Sequence, residues 1–89
     1  MPKILLEAQL NKGFDHWVPF FDADKDDQLA SGFTPIYRGH KLDDPNTVVV
    51  LMEGDPSKLD GFMSQPHKAQ LIEESGHLAE TTKVTVLSD

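Results

Sequence analysis

Four histidines, His16, His40, His67 and His77, are the first residues of this chain that could do chemistry. A neutral imidazole titrates near working pH and can act as a general base or a metal ligand. No two of them stand four apart, and no His-Glu-x-x-His or tight cluster occurs, so their spacing gives no zinc signature. His77 is the best candidate base, because it follows Gly76 where a helix should end and the chain turn back into a sheet. The same position would also let it place positive charge at a helix C-terminus. Residues 22–27, Asp-Ala-Asp-Lys-Asp-Asp, imitate the start of a calcium loop, with carboxylates at the first, third and fifth positions. Such a loop needs Gly at the sixth and Glu at the twelfth position, and here those are Asp27 and Phe33. The run is expected to be a solvated acidic helix end, and no metal site is predicted.

Four of the seven aromatic residues, Phe14, Trp17, Phe20 and Phe21, fall within eight positions. They can be plain core, or they can wall an apolar pocket in which the Trp17 indole N–H supplies a polar handle. Phe20 lies off the main stripe and is expected to meet solvent or a partner. Tyr37 and Arg38 are neighbours on an expected strand and must point to opposite faces. The Tyr37 hydroxyl can donate to a ligand oxygen, and Arg38 can grip a carboxylate. Glu7 and Gln9 lie opposite the apolar face of the first strand, where Arg38 would be their neutralising partner. No Gly-rich phosphate loop, nucleophile elbow or paired-carboxylate site is visible.

The elements that must position these groups follow from periodicity. Residues 3–10 alternate, with Ile4, Leu6, Ala8 and Leu10 on one face, which predicts a first strand. From Phe14 the period becomes helical, with Asp15 as cap, Pro19 about one turn in, and a stop near Ser31-Gly32 after Leu29. Residues 33–40 predict a second strand, which Pro35 confines to an edge or a bulge. Residues 43–46, Asp-Asp-Pro-Asn, predict a hairpin corner. Residues 47–53 predict a third strand, and Thr47 to Met52 contains no polar alternate. A strand of that kind should be covered on both faces. The second helix starts at Asp55-Pro56, carries Leu59, Phe62 and Met63, is kinked or split at Pro66, continues through Ala69, Leu71 and Ile72, and ends at Gly76. Residues 81–87 predict a fourth strand. The order is β-α-β-β-α-β, a ferredoxin-like α+β sandwich with a four-stranded antiparallel sheet, in which right-handed crossovers put both helices on one side. The first and third strands should be central, and one domain, residues 1–89, accounts for the chain.

Composition narrows the partners. Eighty-nine residues bury only about 60–65% of the unfolded surface, so small domains lean on disulfides, metals or self-association. There is no cysteine, which leaves self-association and suits a cytoplasmic protein. The net charge of −7, with no cationic cluster, argues against nucleic acid and against an anionic membrane surface. No apolar run is long enough for a signal peptide or a membrane span.

On these residues the chain resembles the dimeric α+β barrel superfamily. That superfamily includes antibiotic-biosynthesis monooxygenases, muconolactone isomerases, stress-responsive barrel proteins and many small uncharacterised members. The likeness spans the whole element order. It is carried more specifically by Gly54-Asp55-Pro56-Ser57-Lys58-Leu59 through Phe62-Met63, by Glu73-Glu74-Ser75-Gly76-His77, and by Ile36-Tyr37-Arg38-Gly39. The resemblance implies a homodimeric α+β barrel whose two sheets pack face to face with helices outside, and a pocket between sheet and helices for a small, often apolar molecule. Haem-degrading members use an Asn, a Trp and a His. Here Trp17 falls on a helix rather than a strand, so that set is not carried over to Asn11, Trp17 and His77, and no cofactor is expected. The expected ligand wall is Trp17, Phe21, Met52 and Phe62, with Tyr37, Arg38 or His77 as polar contacts to a carboxylate or hydroxyl head. Two other readings stand beside binding. One is a cofactor-independent monooxygenase or isomerase acting on a small ring compound, with His77 as base and Trp17 or Tyr37 orienting the substrate. The other is a structural or protein-interaction dimer with a filled core.

Overall fold

Alternation over the first residues produces β1 (Lys3–Gln9), and the computed structural model, which describes residues 2–89, places it centrally. The sheet order is β2-β3-β1-β4, with β2 at Thr34–Lys41, β3 at Asp44–Glu53 and β4 at Lys83–Leu87, and every neighbouring pair is antiparallel. The connections carry the helices α1 (Phe14–Ala23), α2 (Lys25–Ala30), α3 (Leu59–Met63) and α4 (Pro66–Ser75), with single 3₁₀ turns at Pro56–Lys58 and Ala79–Thr81. This is the ferredoxin-like α+β fold, with the first and third strands in the middle.

One face of the sheet builds the core. Ile4 and Ala8 of β1 and Val48, Val50 and Met52 of β3 are buried with Trp17, Phe33 and Phe62, and Leu6, Phe14, Val18, Phe21, Leu59 and Met63 pack around them. On the opposite face, Leu5, Val49 and Leu51 are only half-buried and Tyr37 is 55% exposed. Registry puts them side by side, because Leu5 and Tyr37 both pair with Leu51, and Val49 pairs with Gly39. Tyr37 lies across Gly39, which is the space a Cβ there would need.

Several local expectations are corrected. Gly13, not Asp15, precedes the first helical residue, so Asp15 contributes charge in the first turn rather than a cap. Trp17 N–H already bonds to Gly13 O, so Pro19, two residues further on, sits past the first turn and removes a bond that would otherwise form. The helix breaks at Asp24 instead of running unbroken to Leu29. Gly32 takes a left-handed φ of 90°, and the pair Gly32 N–H to Leu29 O and Phe33 N–H to Gln28 O closes α2 with a Schellman motif. Gly76, at φ 84°, closes α4 in the same way through Glu73 O and Ile72 O. The hairpin corner is Leu42-Asp43, and Leu42 is 98% exposed. The Asp44-Pro45-Asn46 turn chemistry instead bends the start of β3, where the Asp44 carboxylate accepts from Asn46 N–H and Thr47 Oγ1. Those bonds hold the Asp44 carboxyl below its ordinary value. Pro35 sits on the edge strand at a bulge, the strand's two tolerant features together. Asp55 accepts from Ser57 N–H with Pro56 next, and Pro66 splits the second helical segment into α3 and α4. Ala69 is exposed, and α4 instead turns Lys68, Leu71, Ile72 and Ser75 inward.

Gly54 is buried, and a Cβ there would meet the ring of Phe33 at 2.5 Å and Gly32 O at 2.9 Å. Phe33 is fully buried and cannot move aside. Gly54→Ala should therefore cost about 1–3 kcal/mol through overpacking. A lowered urea midpoint with an unchanged m-value is the expected result, and an unchanged midpoint would contradict this account of the packing.

Candidate functional site

Trp17 and Phe21 are four residues apart on α1, and their rings stack at 4.8 Å between centroids. They roof the buried strand residues Val48, Val50 and Met52. Phe62 of α3 and Leu71 and Ile72 of α4 close the side. Between these groups lies a cavity of about 90 Å³. Its lining is almost wholly apolar along the middle and polar at the two ends of α4. At one end stand Asp24, Gln28 and Lys68, and at the other Ser75, His77 and Thr82. Lys68 and Ser75 are seven residues apart, about 10 Å along the helix.

Of the residues expected to contact a ligand, Trp17, Phe21, Met52, Phe62 and His77 come together around this cavity. Tyr37 and Arg38 do not. Their side chains leave the strand on opposite faces, as neighbours must. Arg38 points to the helix side and forks onto Asp22, with Nε and Nη2 at 2.7 and 2.8 Å from the carboxylate. The guanidinium keeps the Asp22 carboxyl below its ordinary value, and the pair walls a surface groove with Phe21, Lys25, Pro35 and Ile36. Glu7 consequently does not meet Arg38, and its partner is Lys41 at 3.7 Å. Gln9 bonds to Thr47 Oγ1 at 2.9 Å. Phe20, expected outside, is half-buried and lines the cavity.

His77 is held by two kinds of contact. Its backbone bridges Leu10 of the strand edge, and its Nε2 lies 2.8 Å from Thr82 Oγ1. Burial pushes the imidazole below its ordinary 6.5, against the weaker opposing pull of Glu80. It is therefore neutral near pH 7, the form that can accept a proton. The remaining histidines stand elsewhere. His16 Nε2 bonds to Glu74 O, His40 Nδ1 bonds to Lys41 O, and His67 approaches Asp27 at 3.5 Å. Among the described residues no group of three His, Asp or Glu is placed to hold a metal ion.

The acidic run proves to be more than a solvated face. Lys68, only 2% exposed, places its ammonium 2.6 Å from both oxygens of Asp24 and 2.7 Å from Asp27, and lies 4.1 Å from the centre of the Phe62 ring. The ammonium lowers the Asp27 carboxyl below its ordinary value, with His67 adding to the effect. Sequence reasoning missed Lys68 and Gln28. The available signal was helical spacing, since Lys68, Leu71, Ile72 and Ser75 fall on one stripe.

With that geometry in place, comparison with known proteins gives the family. Residues 3–89 match a domain of unknown function, DUF3764. The chain belongs to that family. No curated protein matches it. Among solved structures it is similar to a putative antibiotic biosynthesis monooxygenase from Bordetella bronchiseptica, with 8% identity, a TM-score of 0.74, and 99% of this chain and 95% of that chain covered. It is similar also to a putative antibiotic biosynthesis monooxygenase from Nitrosomonas europaea, at 15% identity, TM-score 0.64, and coverage of 100% and 98%. A third is SnoaB, a cofactor-independent oxygenase from Streptomyces nogalater, at 11% identity, TM-score 0.68, and coverage of 99% and 91%. At these identities the likeness is one of fold. Among the described residues no helix of this DUF3764 chain is long and apolar enough to cross a membrane.

Lys68→Met strands the Asp24 carboxylate, which is only 10% exposed, and should destabilise the protein by about 3–5 kcal/mol near neutral pH. In the wild type, the contribution of the lowered Asp27 carboxyl is present above its unfolded value of 3.8 and is lost as pH falls through the lower folded value. Urea midpoints measured down the acid limb should show that loss in wild type and a flatter limb in Lys68→Met. For His77, an NMR titration should place the imidazole below 6.5. The unfolded chain then takes up this proton first, so stability declines as pH drops below 6.5, and His77→Gln should weaken that decline. A His77 titration at or above 6.5 would refute the assigned burial effect.

Proposed function

We propose that this chain is a homodimeric domain that binds a small, largely apolar molecule between its sheet and its helices. The observation that supports the reading is the cavity walled by Trp17, Phe21, Val50, Met52 and Phe62, a largely apolar space whose polar lining is Glu7 of β1 and the groups at the two ends of α4. Sites of this composition are how proteins hold small organic molecules. The cavity of about 90 Å³ is smaller than the ~150 Å³ that admits benzene, so a ring would enter with movement of Met63, Leu71 or Ile72. Met63 is unbranched and half-buried, which suits it to yield.

The dimer part of the proposal rests on the other face of the sheet. Leu5, Val49, Leu51 and Tyr37 form a contiguous apolar area there, between Glu7–Lys41 on one side and Leu87, 38% exposed, on the other. A second copy packing its own sheet on that area would bury it, and a domain of 89 residues, with a small core of its own, would gain stability from that burial. The absence of cysteine suits the reducing cytoplasm.

A second reading is favoured by the names of the solved neighbours, which include antibiotic biosynthesis monooxygenases and a cofactor-independent oxygenase. In it the bound molecule is an electron-rich ring, and neutral His77, beside Thr82 at one end of the cavity, removes its proton before oxygen reacts. Oxygen uptake with dihydroxylated aromatics would be the assay, and equal rates in wild type and His77→Ala would remove His77 from that scheme.

Sedimentation velocity at micromolar concentration should give a dimer, and Leu51→Glu should give a monomer. A wild-type monomer would overturn the assembly. Native mass spectrometry should detect a small-molecule adduct that Leu71→Trp, by filling the cavity, removes while the far-ultraviolet circular dichroism is unchanged. An adduct that survives Leu71→Trp would place binding outside the cavity.

A further inference from the structure

Gln28 is 3% exposed, lines the cavity, and carries a buried side-chain oxygen, Oε1, with no hydrogen-bond partner. An orphaned buried acceptor is uncommon in folded proteins and asks for a reason. The amide cannot be relieved by exchanging its ends. Its Nε2 faces two acceptors, Phe21 O and Asp24 Oδ2, each at 3.5 Å, and an oxygen in that place would meet two oxygens. Nor can Lys68 supply the missing donor. The three N–H bonds of its ammonium already go to Asp24 Oδ1, Asp24 Oδ2 and Asp27 Oδ2. At this end of the cavity, therefore, the Lys68 N–H bonds are all committed and the Gln28 oxygen is the acceptor left without a partner.

We propose that Gln28, braced by Asp24 and Lys68, is the recognition end of the cavity and selects an apolar molecule that carries a neutral hydroxyl, an alcohol or a phenol. The inference rests on the cavity being a binding site and adds the chemistry of what it accepts. A hydroxyl entering among Trp17, Phe62 and Gln28 donates to the glutamine oxygen and satisfies it. A carboxylate is refused, because one cation against two carboxylates leaves this end with a net negative charge. An ammonium would answer that charge, yet it would lose its hydration among Trp17, Val50, Met52 and Phe62. Arg38, the other residue able to grip a carboxylate, is spent on Asp22 outside the cavity.

The test uses the full chain and four one-ring probes: phenol, anisole, benzoate and benzylamine. Trp17 is the single tryptophan and lines the cavity, so its emission reports occupancy. Phenol should bind about tenfold more tightly than anisole, which has a similar ring and no donor, and benzoate and benzylamine should bind more weakly than phenol. In Gln28→Leu, phenol and anisole should bind within about twofold of each other, because the acceptor is gone. Equal binding of phenol and anisole to wild type would overturn the hydroxyl assignment while leaving the cavity a binding site. A preference for benzylamine or benzoate would overturn it too, as would a phenol preference that persists in Gln28→Leu. No response to any probe would instead sink the cavity reading itself. If Gln28→Leu fails to fold, Gln28→Met carries the same comparison, and the four wild-type affinities already decide.

Discussion

A lysine ammonium withdrawn from water must find negative charge close by, and in this protein that requirement shapes the helical layer. Lys68 enters from the inward stripe of α4 and meets Asp24 at the break between α1 and α2, with Asp27 one turn further on. Three helices are thereby fixed relative to one another by a single side chain. The break at Asp24 fits this picture. Asp24 N–H bonds to Phe21 O, a tightened turn, and the aspartate projects its carboxylate toward α4. A buried ion pair adds little net stability over a well-packed apolar pair, because desolvation offsets most of the attraction. What it contributes here is direction: Lys68 over the Phe62 ring sets where the aromatic wall stands and leaves Gln28 beside the cavity.

The sheet supplies the other half of the site by having two unlike faces. Val48, Val50 and Met52 point to the helices, and Val49 and Leu51 point away, so one strand serves the core and an outer apolar surface at once. The absence of polar alternates in that strand follows directly. β2 shows the same division at the level of neighbours. Arg38 reaches the helix side and meets Asp22, whereas Tyr37 lies flat over Gly39 on the outer side. Glycine at position 39 leaves the hollow that the phenol ring fills.

The element order, the central strands, the edge position of β2 and the split at Pro66 were all legible, because each follows from period, proline chemistry or the handedness of crossovers. So was the inward packing of Trp17, Phe21 and Phe62, which are large and fall on helical stripes. Turn residues misled at 44–46. Asp-Pro-Asn favours a bend, but a bend can start a strand as readily as it can join two, and the pairing of Lys41 with Asp44 chose the former. The Lys68 end of the cavity was illegible for a different reason. A lysine or glutamine on an inward stripe is ordinarily read as surface, and only long-range partners reverse that reading. Lys68 and Asp24 are 44 residues apart, and no local pattern joins them.

The two ends of α4 bring different chemical groups to one cavity. At the Ser75 end, a neutral imidazole beside a threonine hydroxyl can accept or pass a proton, and it sits where the chain is pinned by the Schellman turn at Gly76 and the bridge to Leu10. At the Lys68 end, the ammonium is fully engaged by Asp24 and Asp27 and the spare capacity belongs to a glutamine oxygen, an acceptor but a poor base. A molecule of one ring cannot touch both, given a separation of about 10 Å along the helix. One that does must be elongated, with its apolar length lying under Leu71 and Ile72. Turnover by His77 of a molecule held at Gln28 would therefore demand a longer substrate than binding at Gln28 alone.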